Sequence, residues 1–205
     1  KKGLAHSEFA LPPETPAWLR TLIDGRDAAG ASGAFWNAVE AFEKRSDAQF
    51  MREMDLALPL ELTREQNIEL VRAFVADQIT SRGMVADWAY HDVQGNPHIH
   101  LMTTLRPLTE EGFGPKRVPV IGVDGKVLRV VSKEHPKGKI VYRLWAGDET
   151  TLREWREAWA SLQNVHLAKH GFDIRVDHRS FADQGIELEP TLKLGVGTKH
   201  IARKE

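Results

Sequence analysis

Three histidines and two acids offer the clearest chemistry in this sequence. His98 and His100 lie in Asn96-Pro97-His98-Ile99-His100, and His91 ends the preceding segment. In an extended strand, residues two apart share a face at a spacing of about 7 Å, so His98 and His100 present neighbouring imidazoles while Ile99 and Leu101 face the other way. A turn between His91 and His98 would fold the two strands together and bring His91 across from the pair. Three neutral imidazoles on one face can hold a divalent cation with a position left for a ligand. Glu53 and Asp55 share one face of another predicted strand, and they are read as proton acceptors or as partners of a metal-bound histidine. Asp87 falls on the same side as His91 and is a weaker candidate for that second role.

These residues leave other readings open. A His-x-His pair alone is common on solvated strands. A cupin-type oxygenase would want a glutamate soon after His100, where Leu101-Met102-Thr103-Thr104-Leu105-Arg106 stands instead. A His-x-Thr phosphodiesterase needs a second motif copy, and none is found. A hydrolase acting on a small molecule through three histidines also fits, and it would require a closed apolar pocket.

Several elements must position these groups. Ser7 to Leu11 is extended. Asp27–Gly33, rich in Gly and Ala, predicts a mobile loop. Phe35 to Arg45 predicts a helix with Trp36, Val39 and Phe42 along one side, and residues 50–58 alternate as a strand. Thr63-Arg64-Glu65-Gln66 matches a capping box, followed by a stripe of Ile68, Val71, Val75 and Ile79 and a stop at Gly83. Residues 84–91 and 98–105 predict two strands joined by Asp92–Pro97. Val118–Val123 and Val127–Val131 flank Asp124-Gly125, a hairpin signal. A long helix runs from Asp148 or Thr150 to His170 with Leu152, Trp155, Trp159 and Leu162 buried. The pattern predicts one α+β domain over residues 1–205, an antiparallel sheet of about five strands with helices packed on its faces.

The chain has 205 residues, enough for a substantial core, and no cysteine, so any transition metal must use His, Asp or Glu. No run of about 18 apolar residues exists to span a membrane. No apolar segment at the start reads as a signal peptide, and a cytoplasmic location is expected. Net charge is −1, but cations gather locally. Lys116, Arg117, Lys126, Arg129, Lys133, Lys137, Lys139 and Arg143 fall between Gly112 and Arg143, opposed only by Asp124 and Glu134. Lys193, Lys199, Arg203 and Lys204 follow near the end. Such a ribbon can track phosphates on a neutral protein; a solvated charged loop is the plainer reading.

The segment His91-Asp92 … Gly95-Asn96-Pro97-His98-Ile99-His100-Leu101-Met102-Thr103-Thr104 resembles the His-hydrophobe-His motif of HUH endonucleases, and more narrowly the MobA/MobL relaxases. Further stretches match that family in order: Lys2-Gly3 … His6-Ser7-Glu8-Phe9, Trp36-Asn37-Ala38-Val39-Glu40, Lys44-Arg45-Ser46-Asp47-Ala48, Arg52-Glu53 … Leu56-Ala57-Leu58-Pro59, Leu62-Thr63-Arg64-Glu65-Gln66, and Asp177-His178-Arg179-Ser180 … Gln184-Gly185-Ile186. The resemblance implies a relaxase/Rep-like fold. It implies nicking and rejoining of one DNA strand at a plasmid transfer origin (oriT) through a 5′-phosphotyrosine, with a divalent metal on His91, His98 and His100. Mg²⁺ or Mn²⁺ is the functional expectation, and Zn²⁺ or Ni²⁺ also suits such ligands.

The family's tyrosine lies near its N-terminus in a small-residue stretch. Tyr90 and Tyr142 are the two tyrosines here and neither sits in one, so the nucleophile is expected upstream of Lys1, leaving residues 1–205 inactive in nicking without it. Tyr90 is expected in the core. Arg179 is a candidate phosphate ligand and, with the basic ribbon, a DNA contact. His166 and His170 are read as non-ligands. Expected partners are single-stranded and hairpin oriT DNA, relaxosome accessory proteins and a type IV secretion coupling protein. Two further readings stay open: a rolling-circle replication initiator of the same superfamily, and a catalytically silent DNA-binding module with structural histidines.

Overall fold

The computed structural model describes residues 3–188. Its centre is a four-stranded antiparallel sheet ordered β1-β3-β4-β2, from Leu4–Ala10 (β1), Met51–Ala57 (β2), Ala86–His91 (β3) and His98–Thr104 (β4). Among the described residues the main sheet holds four strands, an antiparallel sheet with helices on its faces as expected, and short ribbons make up the other pairings. Period-two alternation decides each face. Trp88, Tyr90, Ile99, Leu101, Met54 and Leu56 point into the larger core. That core is closed by Arg64–Phe74 (α3) and Glu149–Lys169 (α4), through Leu70, Val71, Phe74, Trp155, Trp159 and Leu167.

On the other face, Ala17–Ile23 (α1) and Ala28–Phe42 (α2) bury Leu19, Phe35 and Val39 against Val85 and Phe9. The stretch read as a mobile loop, Asp27–Gly33, is the start of α2. The Asp27 side chain accepts from Gly30 N at 2.8 Å and caps the helix. Burial of Ala31 and Phe35 outweighs the low helix propensity of the two glycines, which cost about 1 kcal/mol each relative to alanine. Helix α3 carries the expected capping box, then widens into one π turn at Val75–Ile79 and a 3₁₀ turn that ends at Gly83, whose φ of 80° favours glycine. Helix α4 starts at its Asp148 cap, as expected.

Beyond β4 come the small pairs Leu108–Thr109 (β5) with Gly112–Phe113 (β6), Arg117–Pro119 (β7) with Tyr142–Leu144 (β10), and Arg129–Val130 (β8) with Lys139–Ile140 (β9). The Asp124-Gly125 turn forms, with Gly122 N donating to Lys126 O and Ile121 bridging Val127. The expected hairpin is shorter than read, because residues on either side of it pair with a second strand segment instead. The result is an extended basic arm over 117–144.

The root of that arm is locked. The Glu43 side chain is 7% exposed and meets Arg106 Nε at 2.8 Å and Lys116 Nζ at 2.7 Å. Hydrogen bonds from Arg106, aided by Lys116, hold the Glu43 carboxyl down to about 2 from 4.5. A depressed carboxyl pKa means the unfolded chain binds the extra proton first. The stabilisation is therefore complete above pH 4.5 and is lost as pH falls towards 2. Glu43→Gln should flatten the acid limb of a stability–pH profile in that window; parallel limbs for variant and wild type would remove this role from Glu43.

Candidate functional site

The exposed end of the central sheet brings the three histidines together. His91 and His98 form the last rung of the β3–β4 ladder, and His100 pairs with Ala89 on one side and Asp55 on the other. Ile99 and Leu101 are fully buried on the α3/α4 side, which forces the alternating histidines onto the opposite face. There α2 covers only the far end. Asp87, four residues before His91 and so about 13 Å away, accepts hydrogen bonds from Ser32 Oγ at 2.5 Å and Trp36 Nε1 at 2.7 Å. Asp87 therefore anchors α2 rather than serving His91, and His91, His98 and His100 beyond it are half-exposed.

The ring centroids are 5.3 Å apart for His91 and His98, 5.0 Å for His91 and His100, and 5.2 Å for His98 and His100. Rings sharing one ion through metal–nitrogen bonds of about 2.1 Å in a tetrahedral arrangement have centroids roughly 5 Å apart, the spacing of these three rings; His91 and His98 are parallel to within 12° and His100 is nearly perpendicular to both. One second nitrogen is also committed. His98 Nδ1 lies 2.8 Å from the Asn96 carbonyl oxygen, which cannot donate, so in the neutral His98 ring Nδ1 carries the hydrogen and Nε2 keeps the lone pair a metal requires. His100 Nδ1 lies 2.6 Å from Asp55 Oδ1 as a close ion-pair contact.

Glu53 Oε1 lies farther from the same ring, 3.6 Å from His100 Nδ1. Glu53, Asp55 and His100 also form a cluster whose ligand atoms all lie within 4.8 Å of one another, so a second, overlapping donor set exists. At 2.6 Å Asp55 is the nearer of the two carboxylates to the His100 ring.

The other expected residues are distributed differently. Tyr90 is 2% exposed in the core on the far face, and burial raises its hydroxyl pKa. Tyr142 is exposed on β10. Arg117, Lys126, Arg129, Lys133, Lys137, Lys139 and Arg143 are exposed along the arm. Arg129 donates from Nη1 to Gly138 O at 3.1 Å. Lys116 belongs to the Glu43 lock, and its Nζ also donates to Gln49 O. Arg179 is paired with Asp177, at 2.7 Å from Nη2, so a phosphate there would have to displace a carboxylate. Lys193, Lys199, Arg203 and Lys204 lie outside the described residues. His166 is buried in α4 and His170 caps its end, away from the three histidines in the fold. A groove of 720 Å³ between β2, α4 and residues 174–178 is apolar and touches the site only through Asp55.

Sequence reasoning missed Asn96, whose carbonyl sets the His98 tautomer, and Glu43. Neither carries a sequence signal, since one acts through its backbone and the other pairs with residues more than sixty positions away.

Known proteins similar to this chain point in one direction. A family model described as the MobA/MobL family matches residues 1–204. A probable conjugal transfer protein TraA of Sinorhizobium fredii (strain NBRC 101917 / NGR234) is 59% identical over 204 residues, covering 100% of this chain and 18% of that protein. The conjugal transfer protein TraA of Agrobacterium fabrum (strain C58 / ATCC 33970) is 58% identical with the same coverage. Mobilization protein MobL of Acidithiobacillus ferridurans is 30% identical over 234 residues, covering 100% of this chain and 53% of that protein. The chain thus spans less than a fifth of the TraA relatives. A solved structure described as "Molecular Basis of Vancomycin Resistance Transfer in Staphylococcus aureus" superposes with a TM-score of 0.64 at 29% identity, over 86% of this chain and 76% of that one.

The two overlapping donor sets make opposite demands. With the ion on the histidines, His98→Ala abolishes 1:1 Mn²⁺ or Zn²⁺ uptake, Asp55→Asn weakens it by about 10–100-fold, and Glu53→Gln changes it little. Calorimetric titration decides between them, because an ion held by Glu53, Asp55 and His100 would reverse the ranking of His98 and Glu53.

Proposed function

This chain belongs to the MobA/MobL family of mobilisation and conjugal-transfer relaxases, and from that premise we propose that it forms the metal- and DNA-binding part of an enzyme that nicks and rejoins one strand of plasmid DNA at a transfer origin. The observation that carries this reading is the clustering of three half-exposed imidazoles on one sheet face, with the His98 tautomer fixed by the Asn96 carbonyl. An open face admits a polymer, whereas a small-molecule hydrolase would enclose its substrate.

In this reading a tyrosine hydroxyl attacks the scissile phosphorus. The new O–P bond makes a 5′-phosphotyrosine diester, the P–O3′ bond breaks, and the 3′ oxygen leaves with a proton as a free hydroxyl. The diester keeps the bond energy, so attack by a 3′ hydroxyl reverses the step without ATP. A divalent cation, Mn²⁺ or Mg²⁺ with Zn²⁺ or Ni²⁺ as substitutes, would neutralise charge on the non-bridging phosphate oxygens. In that role His91, His98 and His100 would hold the cation, Asp55 would steady the His100 ring, and Glu53 would take the tyrosine proton. The nucleophile comes from outside residues 1–205, because Tyr90 is buried on the opposite face and Tyr142 is on the arm.

The basic arm binds DNA phosphates, and Lys133, Lys137 and Lys139 form an exposed run of cations on it. The chain's partners are therefore transfer-origin DNA, single-stranded and in hairpin form, together with the relaxosome and secretion coupling proteins of a conjugation apparatus.

Two measurements test this. Neutralising Lys133, Lys137 and Lys139 together should weaken hairpin-DNA binding and lower the slope of log K against log salt by roughly 0.7–0.9 for each phosphate no longer neutralised; an unchanged slope removes the arm from the interface. Residues 1–205 should bind a transfer-origin oligonucleotide without becoming covalently attached to it. A covalent adduct in denaturing electrophoresis would assign the nucleophile to Tyr90 or Tyr142 and overturn the proposed source of the tyrosine.

A further inference from the structure

The three histidines are not equally secured. His100 sits inside the sheet between Ala89 of β3 and Asp55 of β2. His91 and His98 are also flanked, by Leu4 of β1 and Ala57 of β2, but theirs is the terminal rung of all three ladders, the position that opens most readily by local fraying. Beyond that rung the strands are joined by the connection from Asp92 to Pro97. Its start is tied to β1 by Asp92 N donating to Gly3 O at 2.9 Å, and its end continues onto β2 through Leu58 N donating to Pro97 O at 2.9 Å. Between these, Asn96 N donates to Val93 O at 2.9 Å, and the Asn96 carbonyl receives His98 Nδ1 at 2.8 Å. The backbone of this turn therefore fixes a ligand's tautomer as well as its position.

One side chain reaches the turn from another layer. Arg64, the first residue of α3, donates to Asp92 Oδ2 from Nε at 3.1 Å and from Nη2 at 2.7 Å. Helix stability does not explain an arginine there, since a cation at a helix N-terminus opposes the helix dipole, and Thr63 and Gln66 already form the capping box.

We infer that Arg64 is a positioning residue for the metal ligands: through Asp92 it clamps the β3–β4 turn to α3, and so holds the His91–His98 pair and the Asn96 carbonyl that sets the His98 tautomer. The inference rests on the three-histidine reading of the ion site. The contacts run in sequence from Arg64 to Asp92, through the turn backbone to Asn96, and from its carbonyl to His98. Lysine could supply the charge but not the two-nitrogen fork.

The test is Mn²⁺ titration of residues 1–205 followed by paramagnetic resonance, paired with hydrogen exchange of the turn amides without metal. Arg64→Ala and Asp92→Asn are each expected to weaken Mn²⁺ binding by about 5-fold, a smaller loss than for a residue bonded directly to a ligand. The double variant should be no worse than either alone, and Arg64→Lys should recover part of the loss. Turn amides 93–96 should exchange faster in Arg64→Ala. Arg72→Ala, which removes the α3–β1 ion pair with Glu8 instead, controls for general loosening of α3 and should leave Mn²⁺ affinity unchanged. If Arg64→Ala fails to fold, Arg64→Lys and Asp92→Asn carry the test. Wild-type uptake with unchanged affinity in the Arg64 and Asp92 variants overturns this inference alone, as does an equal loss in Arg72→Ala. Failure of the wild type to take up Mn²⁺ overturns the ion site and this inference together.

Discussion

The two-residue period of β4 is the constraint on which the site depends. Ile99 and Leu101 must be buried, because α3 and α4 close over that face of the sheet. Their burial leaves no freedom for His98 and His100, since slipping the strand by one residue would carry the imidazoles into an apolar core and the aliphatic side chains into water. Pairing with β3 then brings His91 to the edge of the same group. The placement of the rings on one face is thus a by-product of core packing on the reverse side.

Alternation places the rings but does not orient them. Orientation comes from groups at Nδ1, a backbone carbonyl that accepts from His98 and the Asp55 carboxylate that lies 2.6 Å from His100. The two devices differ in kind. Asp55 is a side chain on a paired strand and depends on sheet register, whereas the Asn96 carbonyl depends on the shape of a turn. The same contrast divides the outer parts of the molecule. The basic arm is built of short pairings with exposed faces, and it is fixed at its root by the buried Glu43–Arg106–Lys116 cluster rather than by a core of its own.

Local signals determined much of this in the sequence itself. The capping box at Thr63, the Asp148 start of α4, the strand periods at 51–57, 86–91 and 98–104, and the Asp124-Gly125 turn each depend on near neighbours, and each stands in the fold. The shared face of His98 and His100 needs nothing beyond the pleat. Where tertiary burial opposed local propensity, the sequence misled: α2 begins within a Gly/Ala-rich stretch because Ala31 and Phe35 have a sheet to pack against. Only the folded chain could decide that Asp87 serves α2 and not His91, that Lys116 is bound by Glu43 rather than exposed, and that Arg64 meets Asp92. These are pairings between residues far apart in the chain. Composition and periodicity carry no record of them, because which charge meets which depends on how the layers stack.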